Sequence, residues 1–264
     1  MPLVNPAFEH VQLKVGDALG RLTLDRPDRR NALSLAMMRE VIVALDVVAH
    51  DDAVRVLVVD GNGPAFSAGH DLSEMVSTRE AAFFDELFGV CVEMMEAIHA
   101  LAQPVIAKVH GVATAAGCQL VAACDLAVAA TDARFATPGV NIGLFCSTPM
   151  VPISRAIGRK RALEMLLTGE MIDARTAADW GLVNRVVAPD ELETATLALA
   201  ERIAHSSAYV VALGKRAFYA QDGATERDAY DITAPIMAEN AEHDDALEGM
   251  TAFLEKRAPH WKHN

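Results

Sequence analysis

VIAKVHGVATAAGCQLVAACDLAVAA, residues 105–130, decides how this chain is read. Val105–Val109 is an apolar, β-branched run of strand length, and Gly111–Gly117 is a turn built from small residues. Cys118–Ala123 has the length of a short helix, and Asp125–Ala130 returns to a strand-like run. A strand, a helix and a second strand in this order predict a parallel pair joined by a crossover. Toward the N-terminus, Val54–Asp60 (VRVLVVD) reads as a strand buried on both faces. The loop Gly61–Asp71 follows it, then a long helix from about Glu80 to Leu101 that Pro104 closes. Ser34 is placed to N-cap a helix over Leu35–His50, where Leu35, Met38, Ile42 and Leu45 recur at helical spacing. His10–Val15 and Leu19–Leu24 predict a hairpin joined at Gly16-Asp17. Toward the C-terminus, from about Pro149, the pattern turns helical: Arg159–Leu167, Ala174–Trp180, Pro189–His205, Ser207–Ala220 and a run from about Glu226 to Lys256. Leu182–Val187 is one strand-like interruption. The expected architecture is an α/β core over residues 1–200 and a helical region over 201–264.

The composition narrows the function. A chain of 264 residues with 52% apolar and 22% charged residues can bury a core without metals or disulfides. The formal net charge of −13 argues against a nucleic-acid binder. It leaves room for an anionic ligand held by local clusters such as Arg26, Arg29 and Arg30, or Lys256 and Arg257. Cys91, Cys118, Cys124 and Cys146 form no CxxC pair and stand among apolar residues, so they read as reduced, buried thiols and not as metal ligands. The first residues carry no basic stretch followed by an apolar one, and no apolar run reaches the roughly 18 residues of a membrane span. A cytoplasmic protein without membrane insertion is the default expectation.

Two segments gather small residues just beyond predicted strands: GNGPAFSAGHDL, Gly61–Leu72, and HGVATAAGCQL, His110–Leu120. In parallel α/β folds ligands bind at the carboxyl ends of strands, where such loops lie. Small residues let backbone approach a ligand closely, and the second segment opens a helix whose unpaired N–H groups favour negative charge. Facing one oxygen, the two loops would make an oxyanion hole. Small-residue turns after strands usually only pack, so spacing alone leaves both readings open. Neither segment is a P-loop or a GxGxxG turn.

Phe66–Leu72 (FSAGHDL) resembles the FxAGxDL motif of the crotonase (enoyl-CoA hydratase/isomerase) family, and Val105–Ala130 resembles the family's glycine-rich segment. Arg26–Leu33 (RPDRRNAL), Ala162–Val187 and Glu248–Pro259 are similar to further family segments, so the likeness spans nearly the whole chain. The resemblance implies a crotonase fold, with ββα turns building two nearly perpendicular sheets. It also implies C-terminal helices that assemble a homotrimer or a dimer of trimers. The implied partner is an acyl-CoA thioester, with coenzyme A entering as part of the substrate, no permanently bound cofactor and no metal. By position the oxyanion donors are the backbone N–H groups of His70 and Ala116. Arg29, Arg30, Asn31 and Ala32 fall at the nucleotide end. Phe66, Ala68, Gly69, Asp71, Leu72, Gly117 and Cys146 belong to the binding segments, Asp71 more as a brace of its loop. Phe253 and Lys256, reaching from a neighbouring subunit, match residues that help hold CoA.

The sequence departs from the family at its acid–base pair. Hydratases of the family use two glutamates; here those positions carry Gln119 and Gly139. Gln119 can orient a water but cannot take its proton, and Gly139 has no side chain. Losing one such group typically costs about 10²–10⁴-fold, so efficient hydration by that route is not expected. His70 and Cys146 carry side chains that titrate or react near neutral pH, but the expectation for His70 is that its backbone serves while its ring packs at the loop, and Cys146 has no evident partner base to make it a nucleophile. Three readings remain: an acyl-CoA enzyme of the hydratase/isomerase type, a related enolate chemistry such as decarboxylation or thioester hydrolysis, and a non-catalytic acyl-CoA binder.

Overall fold

The computed structural model describes residues 7–16 and 18–262. The core is two sheets. Six strands, β1 (Val11–Gly16), β2 (Leu19–Leu24), β3 (Val56–Gly61), β4 (Val105–Val109), β6 (Leu126–Ala130) and β9 (Arg185–Val187), lie in that order. Between β4 and β6 the chain makes β5 (Val112–Thr114), which pairs with β7 (Arg134–Ala136), and β7 pairs in turn with β8 (Ile172–Asp173) to make a second, three-stranded sheet. In the main sheet only β1–β2 is antiparallel; β2–β3, β3–β4, β4–β6 and β6–β9 are parallel. Asp17, in the β1–β2 connection, lies outside the described residues.

The helices follow from the same sequence signals. Ser34 caps α1 (Leu35–Ala49), its Oγ accepting from Met37 N–H at 3.2 Å. After β3 come a short α2 (Leu72–Ser77) and the long α3 (Ala81–Ala100), which packs against α1. α4 (Ala116–Ala123) links β5 to β6. α5 (Met150–Ile157), α6 (Arg159–Thr168) and α7 (Ala174–Trp180) lead to β9, and α8 (Leu192–Ala204) packs across the main sheet. The alternation along β3 shows why that strand is continuously apolar. Leu57 and Val59 enter the large core with α1 and α3, whereas Val56 and Val58 join Leu192, Leu199 and Ala200 of α8. Each such fully buried aliphatic side chain contributes roughly 1.5–3 kcal/mol relative to exposure.

Beyond α8 the chain makes α9 (Ala208–Gln221), α10 (Glu226–Glu242) and α11 (Asp244–Glu255). The single run expected over 226–256 is broken at His243, which leaves helical geometry (ψ 146°) and caps α11, its Nδ1 accepting from Asp245 N–H. Lys215 ties α9 to the core. Its ammonium donates to the carbonyls of Ile98 and Gln103 near the end of α3 and pairs with Asp125 at 2.7 Å. Asp125 also accepts from Val105 N–H and Tyr219 Oη–H, so it serves as a structural hub at the start of β6. All four cysteines are free and buried. Among the described residues no helix is long and apolar enough to cross a membrane.

Candidate functional site

Three loop segments are zipped together at the carboxyl ends of β3 and β4. Ser67 N–H donates to Val112 O and Thr114 N–H to Ser67 O, a parallel bridge between the two small-residue loops. Ala68 N–H donates to Arg30 O, and Leu33 brackets the next turn, donating to Gly69 O at 2.8 Å and accepting from Asp71 N–H at 3.2 Å. Two glycines make this approach possible. A Cβ at Gly69, which has φ +89°, would lie 2.8 Å from Thr114 O and 3.1 Å from Ala116 N. A Cβ at Gly117 would lie 2.3 Å from Ser67 O.

The zipper also fixes two donors. Because Gly69 O and Asp71 N–H both turn toward Leu33, the N–H of His70 between them turns the other way, as alternate groups do along extended backbone. Ala116 is the first residue of α4, where a helix leaves its N–H groups unpaired. Neither of these two N–H groups donates a hydrogen bond among the described residues. Ala115, the N-cap of α4 just before Ala116, holds φ 49°, ψ −119°, a conformation costly for a residue with a Cβ.

His70, Ala115 and Ala116 border a cavity of about 240 Å³. Ala68, Leu72, Gly139 and Cys146, all expected at the site, line it too. Sequence reasoning missed Phe88 of α3 and the wall formed by Ile142, Leu144 and Phe145, because neither helical period nor turn composition says which cavity a residue reaches. Among the described residues no aspartate, glutamate, lysine or arginine lines this cavity.

The remaining expected residues lie elsewhere. Gln119 is buried on α4 outside the cavity lining, and its Oε1 is 3.8 Å from Cys91 Sγ, which donates to it. Asn31 is fully buried and acts as a latch: its Nδ2 donates to Asn62 O and Ala65 O, and its Oδ1 accepts from Arg26 N–H. Asp71 caps α2 by accepting from Ser73 N–H and pairs with Arg26 at 3.0 Å. Burial raises its carboxyl, but the Arg26 hydrogen bond and the α2 N–H groups outweigh that and hold it below the usual range. Phe66 is sealed in the core, and Ala32 and Gly117 are buried. Arg29 and Arg30 are exposed, as are Phe253 (82%) and Lys256 at the end of α11.

Burial governs the chemistry of both side chains that could react near neutral pH. His70 does not titrate near neutral pH: burial lowers it to about 4, opposed by the Leu33 backbone, so its imidazole is neutral at pH 7. The Leu33 backbone is the polar group beside the ring, but among the described residues neither ring nitrogen makes a hydrogen bond of good geometry, and the ring lies edge-on to Phe88 at 5.4 Å. Cys146 is no activated nucleophile, because burial pushes its thiol up, only partly offset by the Gly139 backbone. Gly139 also differs from a simple loss of side chain. A Cβ there would lie 1.9 Å from Leu144 O and 2.9 Å from Cys146 Sγ. The Leu144 carbonyl therefore occupies the start of any side chain at this position.

Residues 14–264 match the family model described as enoyl-CoA hydratase/isomerase. The chain is 45% identical over 247 residues to the mitochondrial enoyl-CoA hydratase domain-containing protein 3 of Mus musculus, covering 94% of this chain and 82% of the relative. Its fold superposes on the crystal structure of an enoyl-CoA hydratase from Mycobacterium smegmatis with a TM-score of 0.94, at 48% identity over 96% of this chain and 99% of the other. The crystal structure of human enoyl-CoA hydratase domain-containing protein 3 gives a TM-score of 0.93 at 44% identity, over 96% and 100% of the two chains. The expected cytoplasmic location is overturned here, since the vertebrate relatives are named as mitochondrial proteins.

Proposed function

The chain belongs to the enoyl-CoA hydratase/isomerase family, and from that premise we propose that its cavity receives the acyl end of a CoA thioester. The His70 and Ala116 N–H groups hold the thioester oxygen as it gains enolate charge. The observation that carries this reading is two undirected N–H groups at the edge of an apolar cavity that, among the described residues, no carboxylate lines. In such a dry site one preorganised donor is worth about 10²–10³ in rate. Hydration by paired carboxylates is not the reaction, because Gln119 turns to Cys91 and the Leu144 carbonyl fills the place of a side chain at 139. Coenzyme A enters as part of the substrate, and no resident cofactor is required. The exposed apolar residues of α11, Phe253 (82%) and Leu254 (80%), support self-association through residues 201–264 as a trimer or a dimer of trimers.

The lining favours a second reading, decarboxylation of an α-carboxyacyl thioester of the malonyl type. A substrate carboxylate meets no like charge in the cavity and is poorly solvated there. The bond from the α-carbon to the carboxylate breaks, CO₂ leaves, and the electron pair passes into the enolate that the two N–H groups hold. Water then supplies a proton to the α-carbon. Incubation with malonyl-CoA and with crotonyl-CoA tests this: CO₂ release supports decarboxylation, and loss of enoyl absorbance by hydration contradicts the account. Thioester cleavage appears as free thiol, and binding without any product marks a non-catalytic acyl-CoA binder.

A further inference from the structure

We propose that the His70 ring is a specificity-determining residue that hydrogen-bonds an oxygen substituent of the acyl group. The site would then take hydroxy-, oxo- or carboxy-substituted acyl-CoA thioesters in preference to plain alkyl ones. This rests on the reading above that the cavity receives a CoA thioester. The ring belongs to a residue lining the cavity, and among the described residues both of its nitrogens are buried without a hydrogen bond of good geometry, the Leu33 backbone being the polar group beside them. The great majority of buried polar side-chain atoms are satisfied, so two orphans on one ring beside a cavity call for a group that arrives with the ligand. A neutral imidazole offers one donor and one acceptor, and suits a hydroxyl or a carbonyl equally well. Rotation about Cβ–Cγ, a broad torsion for histidine, turns either nitrogen toward the cavity without moving the backbone N–H. That N–H belongs to the same residue, so the ring lies close to whatever the thioester oxygen is attached to. Of the other polar side chains on this wall, Cys146 is a weak donor and Ser147 Oγ–H turns to Phe145 O, which leaves the Thr148 hydroxyl as the competitor for the same substituent.

Calorimetric titration of wild type and His70→Leu with 3-hydroxybutyryl-CoA and butyryl-CoA tests this, since the substitution keeps the backbone N–H. Wild type is expected to favour the hydroxy compound about threefold to tenfold, the value of one neutral hydrogen bond. His70→Leu should bring the ratio of the two affinities to about one, whatever it does to both. His70→Asn, which keeps a donor and an acceptor, should retain part of it. Equal binding of both thioesters by wild type overturns the inference without any variant, and so does an equal loss of both in His70→Leu. If wild type binds neither, the reading of the cavity as a thioester site has itself failed.

Discussion

Gly139→Ala is the substitution on which the account of this site can be tested by sign. Gly139 does not hold positive φ, so adding a methyl group would ordinarily stabilise the fold by about 0.4–1 kcal/mol through the unfolded chain. Here that methyl would start 1.9 Å from Leu144 O and 2.9 Å from Cys146 Sγ. Leu144 is held in place by its N–H, which donates back to Gly139 O at 2.9 Å, so the turn has no free direction in which to yield. Overpacking against backbone costs about 1–3 kcal/mol. Breaking the Leu144–Gly139 hydrogen bond adds about 0.5–1.5 kcal/mol. The net expectation is a loss of about 1–3.5 kcal/mol, read as a lower denaturation midpoint in urea with an unchanged slope. Because the displaced turn carries Leu144, Phe145 and Cys146 of the cavity wall, CoA-thioester binding should weaken with it. For the same reason Gln119→Glu combined with Gly139→Glu should not create a hydratase. A Gly139→Ala protein as stable as wild type, or more stable, would refute the reasoning.

Asp71→Ala should cost about 1–3 kcal/mol through the lost cap and the stranded Arg26, and Asp71→Asn, which can still cap, should cost less. Since the Asp71 carboxyl is held below its ordinary value, this stabilisation should be complete above about pH 4 and fade as pH falls through the folded value; equal losses for both variants by urea denaturation would contradict it. The His70 ring, lowered to about 4, binds fewer protons folded than unfolded. Wild-type stability should therefore decline as pH drops from about 6.5 toward 4, and the slope should be shallower in His70→Leu. Ala115→Gly, which elsewhere would cost about 0.5–1 kcal/mol, should leave stability unchanged or raise it by about 1 kcal/mol, because it relieves φ 49°, ψ −119°. A drop of more than about 1 kcal/mol in its thermal unfolding would show that the Ala115 conformation stores no strain.

Much of the framework was legible locally. The apolar runs gave β3, β4 and β6 nearly to the residue, and Ser34 announced its own helix, because strand burial and capping are short-range effects. The three strands of the second sheet were not legible: β5, β7 and β8 are two or three residues long, and only tertiary pairing makes them strands. The backbone donors could be placed on the family pattern, since the pattern is about loop shape and small residues. Side-chain destinations could not. Gln119 stands where a glutamate would, yet it turns to Cys91, and nothing in AGCQL specifies that. Likewise Gly139 reads as a missing side chain, whereas the fold shows a backbone carbonyl in its place. The titration of His70 also escaped the sequence, because it depends on Phe88 and Leu33, which approach from distant segments.

The most direct test of the central claim follows crotonyl-CoA and longer 2-enoyl-CoAs by enoyl absorbance, with calorimetric titration of the same thioesters on the same protein. The account predicts that the thioesters bind and are not hydrated at any ordinary enzymatic rate. Hydration faster than about 1 s⁻¹ would mean that some other group performs the acid–base work, and would contradict it.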